Sequence, residues 1–151
     1  MKVKAMGVVL LFLILASCKT PTEKWLDGMV DYKSIQGKVL AVEIRKVQPP
    51  RLDTGAITYS VRLFPAKEWN EAHGTGLNER LAYGMDSCFT VRTASAGFGP
   101  DMVQPVNNGI AGCYEYLVSF GVTKAMKYHP LELVYADRYI DKKVYRLELN
   151  R

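Results

Sequence analysis

Alternation of apolar side chains with a period of two is the feature that most limits what this chain can become. Across 38–48 the set Leu40, Val42, Ile44 alternates with Ala41, Glu43, Arg45, and across 57–64 Ile57, Tyr59, Val61, Leu63 alternates with Thr58, Ser60, Arg62, Phe64. A strand points successive side chains to opposite faces, so each run offers one apolar face to a core and one polar face to water. Pro49-Pro50 ends the first run, because proline cannot donate to a ladder, and Asp53-Thr54-Gly55 supplies turn chemistry before the second. The two read as an antiparallel pair.

Similar patterns recur further on. Tyr114, Tyr116, Val118 and Phe120 share one parity, Leu131, Leu133 and Tyr135 another, and Tyr145, Leu147 and Leu149 a third, with Asp141-Lys142-Lys143 as the turn between the last two. Leu81, Tyr83 and Met85 start another β-like stretch that continues through 88–94 with Phe89 and Val91, and Gly84 marks a bulge inside it. Seven or so short strands with turns between them predict a mainly β protein, a single antiparallel β-sandwich with one to three short helices. A partly open barrel of the same strands is the alternative.

Helical signals are brief. Thr20-Pro21-Thr22-Glu23 has capping-box spacing with proline at the first helical position, and Trp25 would pack on the domain. Residues 65–73 suit one or two turns stopped by Gly74, with His73-Gly74-Thr75-Gly76 as a flexible turn, and a helical turn is expected at Ala125-Met126 before Pro130. His73 and His129 read as loop histidines, since neither has an acid partner near it in sequence.

The segment 95–112 is the longest stretch without an obvious element, and long loops of this kind are often functional. Asn107-Asn108-Gly109 is a strong hairpin signal. It would fold 102–106 back onto 110–113 as a flap. Phe98, Met102, Val103, Asn107, Asn108 and Ile110 are the candidate partner-binding residues on that flap.

At the N-terminus, Lys2 and Lys4 precede an unbroken apolar run from Ala5 to Ala16, followed by the small pair Ala16-Ser17. A basic region, a short apolar region and small residues at a cleavage point make an export signal. The run is too short for a bilayer span, which needs roughly 20 residues.

Leu15-Ala16-Ser17-Cys18 resembles the lipobox of bacterial lipoproteins. The resemblance implies that residues 1–17 are removed and that Cys18 carries acyl chains and holds the protein on a membrane. Each buried methylene contributes ~0.8 kcal/mol, and two chains suffice for stable anchoring. Residues 18–36 are then the lipidated cysteine and a tether, and 37–151 the β-sandwich domain. In double-membrane bacteria an aspartate after the cysteine resembles an inner-membrane retention signal. Lys19 stands there instead, so the resemblance implies the outer membrane, facing the periplasm.

With Cys18 lipidated, Cys88 and Cys113 are left as an even pair in an oxidising compartment, and a disulfide between them is expected. In the chain-entropy account, closing a loop of about 25 residues is worth roughly 3.5 kcal/mol. The alternatives are two unpaired thiols or a metal site, although neither cysteine has a second ligand at metal-binding spacing. Their parities put both sulfurs on the more polar strand faces.

The net charge of +5 falls to +3 once Lys2 and Lys4 leave, with basic residues scattered along the chain. That pattern argues against a nucleic-acid partner. There is no Gly-x-Ser-x-Gly elbow, His-Glu-x-x-His helix or phosphate loop, so no catalytic residue, metal or cofactor is expected. The reading is a non-enzymatic envelope lipoprotein whose sandwich binds a protein partner or helps assemble an envelope complex. In plan it resembles the small β-sandwich outer-membrane lipoproteins of secretion machines, including the transthyretin-like lipoprotein of type VI systems. Two further classes stay open: glycan or small-ligand binding, suggested by nine tyrosines and two tryptophans, and inhibition or immunity, with the flap as a wedge.

Overall fold

The computed structural model describes residues 21–47 and 55–150, without the side chains of 21–23 and 74–76. Two antiparallel sheets pack face to face. Strands β1 (Tyr32–Gln36), β2 (Leu40–Val47), β3 (Ala56–Pro65), β7 (Tyr114–Gly121) and β6 (Met102–Val106) lie in that order in the larger sheet. The smaller one is ordered β5 (Gly97–Phe98), β4 (Phe89–Arg92), β8 (Glu132–Ala136), β9 (Val144–Glu148). The sandwich expected from the alternation is therefore the fold.

Register explains the core. Val42 opposes Leu63, Ile44 opposes Val61, and on the next strand Val61 opposes Tyr116 and Tyr59 opposes Val118, so one face of the larger sheet is apolar across its three central strands. Phe89, Tyr135 and Tyr145 form a matching row in the smaller sheet, as do Val91, Leu133 and Leu147. All of these are buried. Phe89 stacks near Tyr135 with centroids 5.1 Å apart, and Tyr116 lies 5.9 Å from Phe89 across the layer. Buried tyrosines need acceptors, and each has one: Val30 O for Tyr59, Leu81 O for Tyr116, Asp137 for Tyr135, Leu40 O and Asp141 for Tyr145. Most of the aromatic content is thus packing.

Three elements depart from expectation. Helix α2 runs Lys67–Tyr83, far past Gly74. Two mid-helix glycines cost about 1 kcal/mol each, but the helix continues because its far half is held by the core: Leu81 is buried, its carbonyl accepts Tyr116 Oη at 2.7 Å, and Asn78 accepts Tyr114 Oη at 2.9 Å. Leu81 and Tyr83 are consequently helical rather than a strand. Gly84 ends the helix instead of forming a bulge, and a Cβ there would lie 2.5 Å from Tyr139 Oη.

The second departure is at the start of the domain. Helix α1 (Pro21–Asp27) forms where the capping pattern placed it, with Trp25 and Leu26 against the core. Residues 32–36, expected in the tether, make β1 on the edge of the larger sheet, and Met29 is fully buried and bridges to Asn150. Lys33 points toward the smaller sheet, where Glu148 on β9 takes its ammonium at 3.4 Å. The third departure is the flap, whose first strand β6 pairs with β7 instead of with 110–113. Helix α3 (Lys124–Lys127) and the terminal β8–β9 hairpin match the sequence, with Thr123 capping α3 through Met126 N.

Strand directions sort the connections into two ends. The first end holds α1, α3 and Asn150. The opposite end holds α2 and the connections 107–113 and 137–143. Central strands of eight to ten residues separate them by roughly 25–30 Å.

Candidate partner-binding surface

At the α2 end, the outward face of the larger sheet carries a charged row set by register: Glu43 beside Arg62, and Arg62 beside Glu115. Glu115 is 8% exposed. Ser60 Oγ donates to its Oε1 at 2.6 Å, Arg62 Nε approaches Oε2 at 3.0 Å, and Asn108 Nδ2 donates to Oε2 at 2.7 Å. Burial alone would raise this carboxyl; the hydrogen bonds from Ser60, Asn108 and Arg62 outweigh it and hold the group below the usual carboxylate range. Charge-assisted bonds of this kind are the stronger class. Their third partner is what matters for the surface, because Asn108 belongs to the loop.

That loop is internally braced as well. Asn107 Oδ1 accepts Gly109 N at 3.3 Å, Asn108 Oδ1 accepts Ile110 N at 2.8 Å, and Cys113 N donates to Ile110 O at 3.2 Å. Gly109 and Gly112 take φ of 70° and 73°, the left-handed conformation that glycine adopts without a Cβ penalty. Ile110 is presented to solvent, 46% exposed. Between this loop and the start of α2 lies a cleft of about 450 Å³ lined by Phe64, Pro65, Asn70, Glu71, Ala111 and Gly112. It combines an aromatic wall with the amide of Asn70 and the Lys67–Glu71 ion pair on the helix.

The six candidate partner-binding residues do not gather in one place. β6 does form a hairpin around Asn107-Asn108-Gly109, but it pairs with β7, Met102 opposite Ser119 and Val106 opposite Glu115, and becomes the edge strand of the larger sheet. Residues 110–113 stay in the turn, since β7 offers β6 a complete ladder. Phe98 sits on β5 opposite Val91, and both Phe98 and Val103 pack on the core. Met102 is 42% exposed but lies at the far end of β6 from Ile110. Asn107 and Asn108 build the turn. Of the six, Ile110 with the two asparagines forms a coherent surface.

The expected disulfide is not formed: Cys88 and Cys113 are free thiols. Cys88 closes a 3₁₀ turn, Asp86–Cys88, ahead of β4 in the smaller sheet, with Sγ 3.9 Å from Gly84 O. Cys113 precedes β7 in the larger sheet, where Asn108 Nδ2 reaches its sulfur at 3.3 Å. Parity within a strand carries no information about two residues on different sheets. It also failed for Cys88, which is 1% exposed because the 3₁₀ turn breaks the alternation. Burial pushes both thiols up, away from the thiolate.

Two buried carboxylates stand outside the pattern that marks the candidate residues in the sequence. Glu115 looked like an ordinary outward residue of an alternating strand, and only its neighbours across the sheet mark it. Asp137, 6% exposed, accepts Tyr135 Oη at 2.7 Å and the backbone N–H groups of Tyr139, Ile140, Asp141 and Lys142 at 2.6–3.3 Å. An aspartate closing a strand before a turn was the available signal. Burial acts to raise its carboxyl, and the hydrogen bonds from Tyr135, Lys142, Asp141 and Ile140 hold it below the usual range.

Other chemistry is sparse. His73 stacks on Trp69 with centroids 4.4 Å apart and pairs through Nδ1 with Trp69 O at 2.9 Å. His129 is exposed after α3. Among the described residues no group of three or more His, Cys, Asp or Glu side chains is arranged to hold a metal ion, and no helix is long and apolar enough to cross a membrane. Cys18 lies outside the described residues. Comparison with family models, curated proteins and solved structures finds no match.

Proposed function

We propose that this protein is a lipid-anchored envelope lipoprotein, held through Cys18 on the outer membrane facing the periplasm, whose non-catalytic sandwich binds a protein partner in an envelope complex. The observation that carries the reading is a polarity of the molecule. The anchor signal Leu15-Ala16-Ser17-Cys18 leads directly into α1 at one end, while the braced 107–113 loop and its cleft occupy the other. A domain tethered at one end meets a partner with the other. Pro105 on edge strand β6 lacks an N–H and so discourages strand addition along the edge that leads to the loop, which favours the loop and cleft over that edge as the contact. The most exposed tyrosines, Tyr83, Tyr128 and Tyr32, lie on three separate elements and make no stacking platform for a glycan.

Membrane fractionation of wild type and Cys18→Ala tests the anchor, with the wild type in the membrane and the variant released. Co-purification from solubilised membranes with Ile110→Asp tests the partner surface. Loss of a specific partner at unchanged stability supports it, and retention of every partner removes the loop from the reading. A braced apolar tip is also what an inhibitor would insert into an enzyme cleft; an envelope hydrolase as the captured partner would select that version.

A further inference from the structure

The interval between Cys18 and the folded domain is short enough to decide which surface meets the bilayer. Resting on the lipoprotein reading above, we propose that the α1–α3 end of the sandwich sits directly on an acidic phospholipid surface, with residues 124–130 as the headgroup contact. From Cys18 to Pro21, the first residue of α1, there are three Cα–Cα steps, which reach at most about 11 Å. A spacer of 18–36 would have let the domain stand away from the membrane, but residues 21–36 are used by α1 and β1.

The folded chain fixes what else lies at that end. Lys46 Nζ donates to Leu26 O and Met29 O at 3.1 and 3.4 Å, Val30 N donates to Leu149 O at 2.7 Å, and Asn150 bridges to Met29 while its side chain takes Leu131 N. The exit of α1 and the α3-bearing connection from β7 to β8 are therefore attached to the same group of residues. On that connection Met126 is fully buried and Thr123 caps the turn, so 124–130 is held as a knuckle. Lys124 and His129 are exposed, and Tyr128 is 80% exposed. From 122 to 131 the sequence has Lys124, Lys127 and His129 and no carboxylate.

Charge and distance then point the same way. Acidic headgroups attract lysines within about one Debye length, roughly 8 Å at physiological ionic strength, and the short reach from Cys18 brings the start of α1, whose exit is attached to this end, to the membrane. Tyrosine, with an apolar ring and a polar tip, suits the headgroup level. Of the carboxylates at this end, Asp31 is held by Lys46 at 2.9 Å, Glu132 by Arg146 at 2.9 Å and Glu148 by Lys33 at 3.4 Å, while Asp27 and Asp101 are exposed on α1 and ahead of β6, outside 122–131. The opposite end, with the loop and cleft, would project outward by the length of the sandwich.

Amine-reactive footprinting of the full mature protein tests this. The protein is labelled in detergent micelles, in phosphatidylethanolamine vesicles, and in phosphatidylethanolamine vesicles containing phosphatidylglycerol, and each lysine is read by mass spectrometry. Lys124 is expected to label several-fold more slowly on the phosphatidylglycerol vesicles than in either other sample. Lys67 and Lys143, at the opposite end with side chains 86% and 61% exposed, should label equally in all three. Equal labelling of Lys124 in vesicles and detergent, protection of Lys67 or Lys143 in its place, or equal protection on both vesicle types overturns the inference. The intact mass of the same sample separates the two levels: an unacylated Cys18 removes the lipoprotein reading and this inference with it, whereas an acylated Cys18 with unprotected Lys124 removes this inference alone.

Discussion

Two loops close the same end of the sandwich and are stabilised in opposite ways. Residues 137–143 fold around one buried carboxylate that serves their own backbone: Asp137 takes four N–H groups of the turn and the hydroxyl of Tyr135. Residues 107–113 are held by Glu115, whose other partners, Ser60 and Arg62, lie on β3. The first loop is a local device that seals the core beside Tyr135 and Tyr145. The second is a long-range device that holds Ile110 out toward solvent. Self-satisfaction suits a lid, and attachment to the sheet suits a surface that must stay in one place while exposed.

Removing the local device should have the largest effect. Asp137→Ala leaves several buried donors without an acceptor, and unsatisfied buried groups cost about 1–3 kcal/mol each. A loss on the order of 3 kcal/mol or more is expected in denaturant unfolding. A loss under 1 kcal/mol would show that water replaces the carboxylate and that the loop is not sealed. Glu115→Ala should cost about 1–3 kcal/mol, because Arg62 remains largely covered without its partner. Its distinctive signature is faster amide exchange confined to 107–113, which Asp137→Ala should not produce; equal exchange in both variants would erase the distinction between the loops.

Acid titration sharpens the comparison. Both carboxyls are held below their ordinary values, so the stability they contribute is fully present above the unfolded values of about 3.9 for Asp and 4.3 for Glu, and is lost as pH falls through the lower folded values. Stability should therefore decline below about pH 4, and Asp137→Asn and Glu115→Gln should each flatten that decline. An unchanged acid limb in either variant would mean that its carboxyl is not favoured by the fold.

Smaller effects follow at the thiols and at the loop tip. A neutral maleimide should modify Cys113 slowly in the native protein and Cys88 only on unfolding, without prior reduction, since both are free and Cys88 is 1% exposed. Resistance of both until a reductant is added would establish a bridge after all. Ile110→Asp should alter stability by about 0.5 kcal/mol or less, as is usual for exposed positions, so any change in partner capture can be attributed to the surface.

Much of this molecule was legible as period. The buried faces of β2, β3, β7, β8 and β9 follow from alternation, because a residue's side of a sheet depends on its own place in the strand. Legibility stopped where the deciding partner was distant. Gly74 and Gly76 are stop signals locally, yet α2 passes through them because Leu81 and Asn78 are held by Tyr116 and Tyr114 of β7. Residues 32–36 show only weak alternation, and the open edge of β2 made them a strand. The candidate site divides similarly: Asn107-Asn108-Gly109 marked the turn, while Glu115 was invisible until β3 lay beside β7.

From the sequence alone came the mainly β class, the core faces and the terminal hairpin, all properties of short windows. Tertiary structure alone decided the length of α2, the free state of Cys88 and Cys113, the capture of the 107–113 loop by Glu115, and the use of 21–36 within the fold. These depend on which strand lies beside which, and that pairing is set by burying all the apolar faces at once, a condition no single window contains.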